Sequence, residues 1–567
     1  MTYNILAINP GHNGSACLVS DGEVVYYSEE ERLSRMKYDG NPFRAMLECL
    51  QNYAIDELVI GGTNPELAIL PWTGEDSYSA LVRKFNPGVK VTNLGHQHHL
   101  GHAAGAFYNS GFTEALAIVV DGAGSMFSMT TGPDGTGTPV GGYETESVYK
   151  CSYPSAFEPL YKRYSDGRTP YFNNGMQEFD NSVTITKAFE AVSQYLGFGF
   201  IEAGKTMGLA PYGKRNAAIP AFFVEGRGNK NLLLPMYPAG AFIDEDRFPD
   251  LRRKQDPKEW HWDFSKVTDM DRDLAFHVQQ ETQELLGILI ERAVAATGIK
   301  NVVLAGGYAL NCVANYYLLG RCKDINLYVD PISHDGGTAM GLARLAWHLH
   351  SKDSVVRPLN HVYLGMQPNY QMLDQLLTQV PQLKMQDALA DNIAELLAAE
   401  NIVAMFSGRA EGGPRALGNR SLLFDPRVKD GKDRVNKVKG REWFRPFAAS
   451  ILEEHAATWF DMRGLKSSPF MMYAIDVATN KLGEVPAVTH VDGTCRVQTV
   501  NVEDNAHYHA VIQAFYARTS VPMVFNTSFN LAGEPLVETL VDAINTLLKS
   551  DIKYLYLPDL CKLLVKE

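Results

Sequence analysis

The chain has 567 residues, too many for a single hydrophobic core, so two domains or more are expected. Hydrophobic residues make up 45% and charged residues 21%, the balance of an ordinary globular protein. The net charge of −13 argues against an extended nucleic-acid surface, which needs a wide basic footprint, yet leaves room for a local cationic pocket.

The first elements alternate short apolar runs with turn signals. Tyr3 to Asn9 reads as a strand, Pro10 to Gly14 as a glycine-rich turn carrying His12, and Ser15 to Val19 as a second strand. Asp21-Gly22 predicts a hairpin turn into a strand from Glu23 to Tyr27. The segment MTYNILAINPGHNGSA has no basic stretch leading into an apolar one, and no run is long enough to span a membrane. A cytoplasmic protein without membrane contact is the expectation.

Further along, HQHHLGHAAGAF offers His98 and His102 at i and i+4, and His99 and His102 at i and i+3; on a helix either pair shares a face. The strand Leu116 to Val120 runs into Asp121-Gly122, and SHDGGTAMG places Asp335 after a small-residue loop. Strand-end carboxylates on glycine turns lie at the mouth of an α/β cleft. Two imidazoles with two carboxylates form an N/O set that suits Fe(II), Zn(II) or Mn(II). The ordinary readings are a hairpin turn for Asp121 and a helix cap for Asp335.

A helix from about Asp273 to Ala296 precedes the strand Asn301 to Ala305, which ends in Gly306-Gly307. Two strand-to-glycine units about 185 positions apart fit a duplicated fold with a cleft between its halves. AGGYALN, with Gly306, Gly307 and Asn311, and EAGKTMGLAPYG, with Lys205, suit the approach of a nucleotide. His12 on the first turn is a candidate base or orienting group. Gly132 to Gly142 and Phe222 to Gln255 read as loops.

HLHSKDSVVRP, residues 348–358, reads as a linker between a domain of residues 1–347 and one of residues 359–567. Beyond it, Met385 to Ala399 reads as helix, and Ile402 to Ser407 and Val521 to Phe525 as strands. Here GGPRALGNRS and KGREWFRPFA gather Arg415, Arg420, Lys439, Arg441 and Arg445 within about thirty residues. Gly, Pro and apolar residues separate these cations, so they do not form a solvated Lys/Glu helix face. Forked guanidiniums in this pattern suit phosphate or pyrophosphate. The seven scattered cysteines contain no CxxC pair and read as reduced thiols, none placed as a nucleophile.

With these residues in view the chain resembles the NodU/CmcH family of O-carbamoyltransferases over nearly its whole length. The resemblance rests on HNGSA, EEERLSRMKY, HHLGHAAGAF, VVDGAGS, KTMGLAPYG, LAGGYALN and DGGTAMG in the first part. In the second it rests on EGGPRALGNRSLLFDPR, VNKVKGREWFRPFA, HVDGTCRVQTV and FNTSFNLAGEPLV. It implies an α/β protein: a duplicated actin-like (ASKHA) domain followed by a YrdC-like α/β domain. It implies that carbamoyl phosphate and ATP, with Mg(II), give carbamoyl-adenylate in the second, and that an acceptor hydroxyl takes the carbamoyl group in the first.

By the same resemblance His98, His102, Asp121 and Asp335 hold the metal, Fe(II) foremost. Arg415, Lys439, Arg441, Arg445, Arg496, Asn526, Ser528 and Asn530 form the carbamoyl phosphate and ATP pocket, and His12 lies near the acceptor. Where the family commonly reads His-Asp this chain has His12-Asn13, which argues against a cationic acceptor. Acceptor-facing loops are expected within Tyr161 to Ser182, and a homodimer is the default assembly.

Four other readings share parts of this pattern. A threonylcarbamoyl-type tRNA-modifying transferase is disfavoured by the acidity. A hydrogenase-maturation carbamoyltransferase would carry further N-terminal modules. A sugar kinase leaves the arginine cluster without a role. A non-catalytic ATP-binding scaffold predicts no pyrophosphate release.

Overall fold

The computed structural model describes residues 2–64, 67–129, 140–165, 171–173, 177–180, 184–223, 233–236, 240–243 and 267–567. Most of Gly132 to Gly142 and of Phe222 to Gln255, and about half of Tyr161 to Ser182, fall outside those residues. Two compact units emerge. One comprises Met1–Gly11, Val19–Glu23 and Tyr53–Pro358; the other comprises His12–Leu18, Val24–Asn52 and Leu359–Glu567. The division is therefore not sequential: most of the first fifty residues belong with the C-terminal part.

In the first unit the strands Asn4–Asn9, Glu57–Ile60 and Lys90–Asn93 run parallel. The first two are buried along their whole length, which is why they read as continuous apolar runs and not as alternating ones. A second sheet is centred on Glu114–Val120, paired antiparallel to Val140–Ser152 and parallel to Asn301–Ala305, which in turn pairs with Asn326–Val329. The helix His98–Ser110 packs its alanine-rich surface on this sheet, with Ala103, Ala106, Phe107 and Tyr108 joining Ala117, Val119 and Val303 in one core. Small side chains let it approach the helix Gly337–Ser351 closely: a methyl on Gly341 would lie 2.0 Å from the Gly101 carbonyl oxygen. That helix takes in the first four residues of the segment read as linker.

The long helix Asp269–Thr297 starts at a Thr268 capping box and stops at Gly298, where φ is 75°. The Asp21-Gly22 turn has φ of 46° and 90°, the positive values that a tight hairpin turn requires.

The second unit is built on a nine-stranded mixed sheet. At its centre Arg420–Phe424 pairs with Met523–Ser528, which pairs with Ala448–Leu452, which pairs in parallel with Thr494–Val500. Its core includes Phe406, Leu422, Phe529, Val537, Leu547 and Leu555. Met385 to Ala399 is not one helix, as expected. Leu383–Asp387 is an edge strand paired with Lys562–Lys566, and the helix is only Ala390–Ala398. Leu383 is the only buried residue of that strand, so its side-chain pattern carried no strand periodicity to read. The central strand extends past Phe525 to Ser528, so Asn526 and Ser528 lie within the sheet.

Candidate functional site

In the first unit His98 and His102 occupy successive turns of one helix, so both Nε2 atoms face the same point, 3.1 Å apart. Asp335 Oδ1 lies 3.7 Å from each, and Asp121 Oδ2 lies 3.7 Å from His98 Nε2. All four residues are buried, and one donor atom from each lies within 4.8 Å of the other three. Burial disfavours a charged His98, but Asp335 and Asp121 outweigh it and hold its pKa up to about 10. Burial and the Asp335 charge work against an ionised Asp121, yet its two histidine neighbours bring it well below the usual carboxylate range. Two carboxylates facing two imidazoles at these distances fit a divalent ion.

His99 is not part of this set. Its Nδ1 pairs with Ser147 Oγ at 2.7 Å, and burial brings its pKa down to about 4. The sequence left open which histidine joins His102, and the helix orientation chooses His98. Asp335 is not the N-cap of the helix Gly337–Ser351, a place that Gly336 takes, and its carbonyl accepts from Thr338.

Gly306 and Gly307 act on Asp121. Gly306 has φ of 88°, and a methyl there would lie 2.3 Å from the Val120 carbonyl oxygen. This close approach lets the Gly307 N–H donate to Asp121 Oδ1 at 2.9 Å and orient the carboxylate. Asn311 caps the helix Cys312–Arg321, accepting from Ala314 N at 3.0 Å while its amide donates to Gln279. Lys205 pairs with Glu202 at 2.8 Å. His12, an exposed residue of the second unit, lies in the Gly11-Asn13 turn, where φ is positive at Gly11 and Asn13.

The second unit gathers the cations. Lys439, 3% exposed, donates from Nζ to Asn530 O and Asn530 Oδ1 at 2.9 Å each, to Ser528 Oγ at 3.3 Å, and to the Ser528 carbonyl. It thereby fixes the Ser528–Asn530 turn, where Ser528 Oγ also donates to Asn530 Oδ1 at 2.6 Å. Burial, then Arg441 and Arg445, push the Lys439 pKa well below the ordinary lysine value. Burial, then Arg445 and Arg496, do the same to Arg441. Arg441 lies against the Phe447 ring, 5.1 Å away, and its Nε–H is buried without an acceptor among the described residues. Glu442 lies 3.5 Å from Arg445. Two buried cations whose charge is disfavoured by burial and by the arginines beside them, with a donor left over, suit a ligand of several negative charges.

Arg420 does not belong to this group. It is fully buried and donates to the carbonyls of Ser407, Gly408, Asn419 and Glu538 while stacking on Phe406 at 3.8 Å. It shapes the loop that carries Arg415, and its donors are taken up by those carbonyls. Arg415, Arg445 and Arg496 are half-buried. Asn526 is fully buried between Ala416 and Gln498.

Several residues were not found from spacing. Arg32 donates to the Gly413 carbonyl at 2.5 Å, and Arg35 to those of Leu536 and Pro535 at 2.6 and 2.9 Å. The EEERLSRMKY motif thus clamps the two loops of the cationic pocket from hundreds of residues away in sequence. Gln498 and Ser450 were also missed; a glutamine buried within the strand Thr494–Val500, whose polar residues give no apolar run to stand out from, offered no signal.

Comparison with known proteins places the chain in a class. A family model described as Carbamoyltransferase N-terminus matches residues 79–344, and one described as Carbamoyltransferase C-terminus matches residues 394–563. The protein is a transferase enzyme with carbamoyltransferase domains. Nodulation protein NolNO of Sinorhizobium fredii is 32% identical across 95% of this chain and 77% of its own length. The 3'-hydroxymethylcephem-O-carbamoyltransferase of Amycolatopsis lactamdurans is 32% identical over 42% of this chain and 44% of its own.

The chain belongs to the NodU/CmcH-type carbamoyltransferase family. The solved structure of full-length HypF in the phosphate- and nucleotide-bound form is 13% identical over 62% of this chain and 56% of that one. Its TM-score of 0.32 is too slight a likeness to bear on activity. Among the described residues no helix is long and apolar enough to cross a membrane.

Proposed function

We propose that the protein is an ATP-dependent O-carbamoyltransferase with two reaction sites, using carbamoyl phosphate through carbamoyl-adenylate. In the second unit water cleaves carbamoyl phosphate to carbamate and phosphate. A carbamate oxygen then attacks the α-phosphorus of Mg(II)-bound ATP and displaces pyrophosphate. The observation that carries this reading is the set of Lys439, Arg441, Arg445 and Arg496, in which burial and the neighbouring cations disfavour the charged forms of Lys439 and Arg441. Triphosphate and phosphate relieve that repulsion, most of all as negative charge builds on the leaving pyrophosphate. Arg415 adds a fifth cation, and Lys439 holds Ser528 and Asn530 ready to donate and accept.

In the first unit an acceptor hydroxyl attacks the carbamoyl carbon, and AMP leaves. His98, His102, Asp121 and Asp335 would hold the metal, Fe(II) first and Zn(II) or Mn(II) next, and such an ion supplies Lewis-acid polarisation of an oxygen when bound. Gly307 keeps Asp121 turned toward that point. The backbone at Gly306 and Gly307, with Lys205, would meet the nucleotide. The acceptor is a small molecule or nucleoside bearing a hydroxyl.

The test is pyrophosphate release from ATP with and without carbamoyl phosphate. Release should require both, should fall at least about a hundredfold in Arg441→Ala, and should survive His102→Ala, which instead should abolish carbamoyl transfer and Mn(II) binding measured by calorimetry. Pyrophosphate release without carbamoyl phosphate, or none at all, sinks the proposal.

A further inference from the structure

Asn526 is fully buried, and its Nδ2 lies 3.2 Å from the Ala416 carbonyl oxygen, 3.0 Å from Ser450 Oγ and 3.3 Å from Gln498 Oε1. Gln498 Nε2 lies 2.9 Å from the Leu417 carbonyl oxygen, and Ser450 Oγ lies 2.7 Å from Gln498 Oε1. A backbone carbonyl only accepts. Leu417 therefore demands the NH2 end of Gln498, which turns Gln498 Oε1 toward Ser450 and Asn526. The Ser450 hydroxyl must then donate to that oxygen. A reversed Asn526 amide would set oxygen against oxygen at Ala416, Gln498 and Ser450 together. Both amide orientations follow from two carbonyls of the turn that also carries Arg415.

The consequence falls on Asn526 Oδ1. It is buried and has no hydrogen-bond partner among the described residues. Such an acceptor is costly unless a donor meets it. Strand pairing places Asn526, Ala448 and Arg496 side by side on one face of the sheet, with only the Ala448 methyl between the two longer side chains. Ser528, two residues on, shares that face. The cations of the pocket are donors, which satisfy phosphate and carbonyl oxygens but not an N–H, and the carboxylate beside them, Glu442, is engaged by Arg445 at 3.5 Å. A carbamoyl group differs from an acetyl group in carrying NH2 where the other carries CH3.

We infer that Asn526 Oδ1 accepts from the carbamoyl NH2, and that Gln498 is the positioning residue that holds Asn526 in the orientation that reads it. The inference rests on the carbamoyl-adenylate reading and adds its selectivity against acetyl phosphate, which carries an isosteric group with no donor. The same turn, Gly412–Ser421, then supplies a cation for the phosphate through Arg415 and the polarity of the amide sensor through Ala416 and Leu417.

Pyrophosphate release at saturating ATP, with carbamoyl phosphate or acetyl phosphate as the acyl donor, tests this directly. Wild type should prefer carbamoyl phosphate by about a hundredfold or more in kcat/KM. Gln498→Leu should cut that preference by about tenfold or more while the KM for ATP stays within about twofold, because the Asn526 amide then keeps only the Ala416 carbonyl and a Ser450 hydroxyl released to turn toward it. Ser450→Ala, a smaller change, should lower it less and decides the matter if Gln498→Leu does not fold. Equal use of both donors by wild type, or an unchanged preference in a folded Gln498→Leu or Ser450→Ala protein, overturns the inference and leaves the transferase reading standing. No release from carbamoyl phosphate in wild type overturns both.

Discussion

Gly306→Ala should disturb Asp121 without touching it. The added methyl would lie 2.3 Å from Val120 O and 2.6 Å from Val120 C, backbone atoms at the end of the strand that carries Asp121. Neither can move aside as a flexible side chain would. A φ of 88° adds strain of about 1–2 kcal/mol for any residue with a Cβ. Displacing Gly307 N from Asp121 Oδ1, 2.9 Å apart, loses a hydrogen bond to a charged group worth about 1.5–3 kcal/mol. Together these give a destabilisation of about 3–5 kcal/mol. With Asp121 no longer held, Mn(II) or Zn(II) affinity should fall about 10–100-fold.

The comparison is Gly307→Ala, whose methyl meets only Asp121 Oδ1 at 3.3 Å and should cost about 1 kcal/mol or less. Urea unfolding of the metal-free proteins gives the first quantity, and calorimetric metal titration gives the second. If Gly306→Ala is as stable as Gly307→Ala and binds metal as wild type does, the tight turn is not what orients Asp121.

Two further outcomes follow from the second unit. Arg420→Lys should lower stability by about 3–5 kcal/mol, because an ammonium cannot reach the four carbonyls that the guanidinium serves. Its KM for carbamoyl phosphate, measured on the folded fraction, should stay near wild type, and a large rise would return Arg420 to the anion site. Lys439 holds fewer protons folded than unfolded over the interval between its lowered value and the ordinary lysine pKa of about 10.4. The ligand-free protein should therefore gain stability as pH rises through that interval. Pyrophosphate, by restoring the charged lysine, should bind with proton uptake there, read as a buffer-dependent heat in calorimetry. Lys439→Met should remove both effects, and their persistence would assign the titration elsewhere.

Local sequence carried much of the candidate site. The four-residue spacing of His98 and His102 needs only a helix to aim both imidazoles at one point, and an apolar strand running into Asp-Gly puts a carboxylate at a sheet end. Likewise, the density of Arg and Lys around Gly412–Ala448, broken by Gly, Pro and apolar residues, pointed to an anion pocket before any contact was known. These properties depend on residues within a few turns or strand positions of one another.

Other features belong to contacts that no spacing rule reaches. The choice of His98 over His99 depends on which way the helix His98–Ser110 faces its sheet. The difference between Arg420, bound to carbonyls, and Arg441, left with a free donor, depends on which loops close over each. Arg32 and Arg35 reach Gly413 and Leu536 across 381 and 501 positions. The orientation of Asn526 is set by the Ala416 carbonyl and by Gln498, itself turned by the Leu417 carbonyl, groups far apart in sequence. A hydrogen bond depends on distance and direction, not on separation along the chain. Only the folded chain therefore decides which polar groups are satisfied and which are left for a ligand.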